Sequence, residues 1–159
     1  MDFKYLHEVE FVEIHSITKR PVSRLLPIFR GLGFILHDDV VSLDRKERIP
    51  PWQHTSIIEV EVLCDKEEVF GFREGDWDAL YLEYHFATLP FELAERFIEI
   101  VFQLSVKLET TVMYQGVNVI ASELKRQFSL IHDELYSETG EEPGSEGLAI
   151  LIQSTYPRS

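Results

Sequence analysis

Glu13 and His15 stand two residues apart, as do Glu83 and His85, in stretches where apolar and polar residues alternate. On a strand this spacing sends both side chains of a pair to the same side. Each pair then offers a carboxylate oxygen and an imidazole nitrogen to one space. Two histidines with two carboxylates can hold a divalent transition metal and leave positions for water or substrate. If the pairs converge, Glu13, His15, Glu83 and His85 form a candidate metal site and the chain is a metal-dependent enzyme. If they do not, the residues are the polar side of a sheet, which is the expectation preferred here.

Both pairs precede a threonine and a proline, Thr18 with Pro21 and Thr88 with Pro90, the residue types that open helices. Strand, turn and helix therefore recur half a chain apart, as pseudo-repeat halves at about 9–63 and 79–152. The first strand is expected over 9–17. Its helix, capped by Thr18, carries Val22, Leu25, Leu26 and Phe29 at helical spacing, with Pro27 kinking or dividing it. Gly31 or Gly33 can end that helix before a strand at Phe34-Ile35-Leu36. Residues 38–52 read as a hairpin or loop, 55–63 as the clearest strand, and 65–78 as an acidic, aromatic loop or irregular hairpin. The second copy's strand covers 79–87. A long core helix to 108 or 109 follows, with Ala94, Phe97, Ile98, Val101, Leu104, Ser105 and Leu108 on one face. A strand at 110–114, a turn at Gln115-Gly116 and a further strand at 117–120 come next. Ser122 caps a helix bearing Leu124, Phe128, Ile131 and Leu135, residues 138–147 form a mobile acidic loop, and 148–152 form a last strand.

This order predicts a single α+β domain spanning 1–159. Its sheet is mostly antiparallel with helices on one face, built from ferredoxin-like βαβ units, duplicated if the repeat is real, plus a C-terminal helix and strand. Val12, Ile14, Val60, Val62, Leu82 and Tyr84 would face the helices; Glu13, His15, Glu59, Glu61, Glu83 and His85 would share the other face. The layout, together with Phe29-Arg30-Gly31-Leu32-Gly33-Phe34, resembles over a short stretch the paired-module glyoxalase and dioxygenase superfamily, which accords with the metal reading.

Composition narrows the function classes. Twenty-eight acidic against 15 basic residues give a net charge of −13, which repels nucleic acid and anionic membrane and favours a basic protein partner. Cys64 is the only cysteine, so no intrachain disulfide or cysteine-rich zinc site is expected. Followed by Asp65, it reads as a small core residue rather than a nucleophile. The beginning of the chain lacks a secretory pattern and no apolar run approaches the roughly 20 residues of a membrane span, so a cytoplasmic protein is expected. HExxH, a serine nucleophile elbow and a phosphate-binding GxxxxGK[ST] loop do not occur, and His7, His37, His54 and His132 are isolated. Gly31-Leu32-Gly33 follows a helix, unlike a dinucleotide loop.

The leading functional expectation is a non-enzymatic acidic module without a cofactor, of the immunity or antitoxin type, that blocks a basic partner. Glu67, Glu68, Phe72, Glu74, Asp76, Trp77 and Asp78 are the candidate contacts, with carboxylates to pair with Arg or Lys and aromatics to anchor, unless the aromatics tuck under the loop as a satellite core. Trp52, Phe70 and Tyr81 lie nearby in sequence, and Glu138, Glu141, Glu142 and Glu146 make a second acidic cluster. A homodimer joined through the open sheet face is the remaining reading.

Overall fold

The computed structural model describes residues 9–44, 56–86 and 89–155. In chain order the strands are β1 (Val9–Pro21), β2 (Ile35–His37), β3 (Val40–Asp44), β4 (Ser56–Cys64), β5 (Glu67–Glu68), β6 (Asp76–His85), β7 (Thr111–Tyr114) and β8 (Val117–Asn118). The helices are α1 (Leu25–Gly31), α2 (Phe91–Leu108), α3 (Ala121–Thr139) and α4 (Glu146–Thr155). The sheet runs β2-β3-β4-β6-β1-β7-β8, with β5 paired to β4, and every pairing is antiparallel. The fold is therefore α+β.

Register explains which residues face inward. Val12 lies opposite Leu82 and Tyr114, Ile14 opposite Leu80 and Val112, and Val60 and Val62 opposite Leu82 and Leu80. These side chains form one core with Leu25 and Phe29 of α1, the apolar face of α2, Leu124, Phe128 and Leu135 of α3, and Leu148 of α4. Strand alternation and helix periodicity thus meet in a single layer between sheet and helices. The buried face of α2 contains all the residues of the expected stripe; of Leu93, Ile100 and Phe102, expected to widen it, Ile100 is buried and the other two are partly buried.

The expected duplication of ferredoxin-like units is not found. β6 and β7 both run antiparallel to β1, so they are parallel to each other and joined by α2 across one intervening strand. β1 and β2 are joined by α1 but separated by β6, β4 and β3. The halves resemble each other in local sequence and differ in where their second strand pairs.

Several boundaries also differ from expectation. Thr18 does not cap a helix. β1 continues through it to Pro21, with a register break between His15 and Arg20, and Ser16 Oγ donates to the Thr18 carbonyl at 2.6 Å. Because α1 begins only at Leu25, Pro27 falls in its first turn, where the missing N–H costs nothing, so it neither kinks nor divides the helix. Ile120, not Ser122, occupies the N-cap of α3. Residues 148–152 belong to α4 rather than a strand; Ser145 Oγ accepts the Leu148 N–H at 3.1 Å, an N-cap bond that starts a helix. Residues 138–147 divide between the end of α3, a turn and the start of α4. Thr88, Trp52, His7 and His54 lie outside the described residues.

Three tight turns shape the hairpins. Asp38-Asp39, Asp65-Lys66 and Gln115-Gly116 each have positive φ at both positions, which matches the twist of two-residue hairpins. Glu109 also sits in the left-handed region, φ 52° and ψ 51°, at the C-cap of α2. Glu109→Gly should therefore stabilise the protein by about 0.5–1 kcal/mol, the relief of a strained L-residue less the added freedom of the unfolded chain. A urea titration showing no gain would mean that the Glu109 side chain offsets its backbone strain. Beside this cap, Arg20 donates to the Leu108 carbonyl and places its guanidinium 5.7 Å from the centre of the Trp77 ring. A cation thus meets the negative end of the helix.

Candidate functional site

The face of the sheet opposite the helices carries the paired Glu-x-His residues. His15 Nε2 lies 3.1 Å from Glu13 Oε1, and His85 Nε2 lies 3.3 Å from Glu83 Oε1. Each pair forms within its own strand, as the two-residue spacing requires. Between them Phe11 and Tyr81 meet with ring centroids 6.1 Å apart, because Phe11 pairs with Glu83 and Tyr81 with Glu13.

The two pairs do not converge. His15 is opposite Ala79 and His85 is opposite Val9, so the histidines sit at opposite ends of the regular part of the β1–β6 ladder, before its register break. Six residues of strand separate these positions, roughly 20 Å. Among the described residues, no group of three or more His, Cys, Asp or Glu is arranged to hold a metal ion. What the register assembles is a row of carboxyls. Glu59 of β4 lies directly opposite Glu83, and Glu61 lies opposite Tyr81.

These carboxyls influence one another. Burial, a hydrogen bond with Glu83 and the Glu83 charge hold the Glu59 carboxyl above its ordinary range, while His85 pulls it down. The Glu61 carboxyl is raised by burial and then by the charges of Glu68 and Glu83. The Tyr81 hydroxyl, bonded to Glu13, is raised by burial first and by that carboxylate second. Like charges directly across a strand pair cost stability. This face is therefore assembled at the expense of the isolated fold.

In the 67–78 segment the carboxylates stay outside while the Trp77 and Phe72 rings turn inward, as the tucked arrangement has it. Trp77 is 1% exposed within the core, and Phe72 packs edge-on against Phe29 at 6.4 Å. Trp77 therefore offers no ring to a partner, while Phe72 is partly buried against the core beside α1. Phe70, 75% exposed, remains outside. Glu67, Glu68, Glu74 and Asp76 are exposed, and the Asp78 carboxylate accepts the Asp65 N–H at 3.0 Å, bracing the β4–β5 turn. Glu68 joins the sheet face through its effect on Glu61.

Of the remaining candidates, Cys64 has its thiol pushed up by burial and then by Asp65, which disfavours the nucleophilic thiolate. His37 makes an exposed ion pair with Asp38 at 3.3 Å. His132, isolated in sequence, is 5% exposed and shares the inward face of α3 with Phe128 and Leu135. Its position four residues after Phe128 was the available signal. The direct opposition of Glu59 and Glu83 had none, because it depends on the register of distant strands.

No helix among the described residues is long and apolar enough to cross a membrane. The chain matches no protein-family model and no curated protein.

Proposed function

We propose that this chain is a non-enzymatic acidic binding protein, of the immunity or antitoxin type, whose acidic sheet face, opposite the described helices, receives a basic protein partner. The observation that carries the reading is Glu59 set against Glu83, with Glu61 and Glu13 beside them, on a face that no described helix covers. A guanidinium or ammonium placed among these carboxyls would relieve their mutual repulsion and gain charge-assisted hydrogen bonds. Phe11 and Tyr81 supply aromatic surface at the centre of the same face. The net charge of −13 would steer a basic partner toward it. Self-association through this face would oppose acid to acid, which speaks against a homodimer joined there.

The test compares two variants in capture of a basic protein from native lysate. Neutralising the face with Glu59→Gln, Glu61→Gln and Glu83→Gln should weaken capture by about 100-fold and flatten its salt dependence. Reversing Glu74, Asp76 and Asp78 to lysine should weaken it less. The reverse ranking would move the binding edge to the 67–78 segment, and salt-independent capture by the wild type would reject the electrostatic reading.

A further inference from the structure

On the helical side, away from the acidic face, a cleft of about 400 Å³ opens between the start of α2, the C-terminal half of α3 and the turn before α4. Its size is within the range of small-molecule sites. Phe91 and Tyr136 supply aromatic surface, Asp133 and Glu142 supply carboxylates, and Ser129 and His132 supply hydrogen-bonding groups. The His132 ring lies 5.9 Å from that of Phe91.

His132 makes this more than a surface hollow. Its Nε2 lies 2.8 Å from the Tyr84 hydroxyl, while its buried Nδ1 has no hydrogen-bond partner among the described residues. Buried polar nitrogens are nearly always paired, so an open one calls for an occupant. Burial keeps Tyr84 protonated, and assigning that hydroxyl as the donor to Nε2 leaves the neutral imidazole's own proton on Nδ1. The open group is then a donor, and its complement is an acceptor. At the rim, Asp133 and Glu142 favour a cation and disfavour an anion, and the flanking rings suit the apolar body and ammonium of an amine.

We propose that this cleft binds a small organic amine whose apolar body carries a hydroxyl or carbonyl oxygen. The ammonium lies against Asp133 and Glu142, the body between Phe91 and Tyr136, and the oxygen accepts from His132 Nδ1 after a small shift of the surrounding side chains. This site is independent of the acidic sheet face and of any basic partner bound there.

Three probes of nearly one shape test it by nitrogen–proton correlation NMR on the full chain: tyramine, its neutral analogue 4-hydroxyphenethyl alcohol and its anionic analogue 3-(4-hydroxyphenyl)propionate. Tyramine should shift the amides of Ser129, His132, Asp133 and Tyr136 saturably and bind at least about tenfold more tightly than the alcohol, with no binding by the acid. Asp133→Asn with Glu142→Gln should remove that preference. Phenethylamine, which lacks the oxygen, should bind about tenfold more weakly than tyramine to the wild type and equally to a folded His132→Phe variant. Shifts elsewhere, no saturation by 10 mM probe on the order expected for weak sites, or equal binding of amine and acid would overturn the proposal.

Discussion

Phe128→Ala is expected to destabilise the protein by about 3–5 kcal/mol, the cost of deleting a large aromatic side chain from a packed core. Phe128 is fully buried, with ring centroids 5.0 Å from Tyr84, 5.0 Å from Phe86, 5.7 Å from Tyr114 and 5.8 Å from Phe97. It is the point at which α3 meets α2, β6 and β7. Its loss would leave a cavity lined by rings too large to collapse into the space, and would remove several favourable ring pairs. Because domains of this size have total stabilities of about 5–15 kcal/mol, the variant should be marginal. Its thermal midpoint should fall by roughly 10–15 °C. A urea midpoint shifted by the equivalent of less than about 1 kcal/mol would show that α3 does not contribute to the main cooperative unit.

The second large effect is a loss of stability in mild acid caused by His132. Burial lowers its pKa from 6.5 to about 4, with Asp133 and Glu92 opposing that shift. The unfolded chain therefore takes up this proton first. As pH falls from about 6.5 toward about 4 the folded state loses stability, by up to about 3 kcal/mol at the lower end. Glu59 and Glu61 act in the opposite sense. Their raised folded-state values mean that protonation relieves the acidic face, so they favour the fold as pH falls.

Urea titrations at pH 7.5 and 4.5, chosen on the order of one unit beyond the ordinary histidine value and near the shifted one, separate these contributions. The wild type should lose more stability between them than His132→Phe does, while Glu59→Gln should lose more than the wild type. His132→Phe also removes the bond to Tyr84, at a cost of about 1–3 kcal/mol that does not depend on pH. The comparison therefore rests on the change with pH for each protein. Parallel losses in wild type and His132→Phe would mean that the imidazole titrates near its ordinary value.

The elements that could be read from the sequence were those whose pattern is local. The face of α2 from Ala94 to Leu108 repeats long enough to define itself, and the alternation at Ile58, Val60 and Val62 marks β4 without outside help. The 148–152 segment misled because a short apolar run suits a strand or a helix equally well. Ser145, three residues before Leu148, was the deciding cue. Pro27 seemed to interrupt a helix only because Thr18 placed the helix start too early.

The site divides in the same way. That Glu13 shares a side with His15, and Glu83 with His85, follows from spacing two apart. That the two histidines lie six residues apart along the paired strands, and that Glu83 meets Glu59, follows from long-range register. Trp77 among acidic residues reads as an exposed anchor, yet its placement depends on the end of the core needing a large apolar group. Nothing within the 67–78 segment reveals that need.

β1 occupies the middle of the sheet, and its neighbours β6 and β7 come from much later in the chain. During synthesis, at roughly 5–20 residues per second, β1 would wait on the order of 5–20 s before β7 could pair with it. Closure of such distant contacts makes a slow, non-local folding step. Both edges of the eventual central strand are open to other chains until β6 is made, and one edge stays open until β7 follows. The charges of Glu10, Glu13, Lys19 and Arg20 along β1 then act as gatekeepers, delaying association with another nascent chain until the strand's own partners arrive.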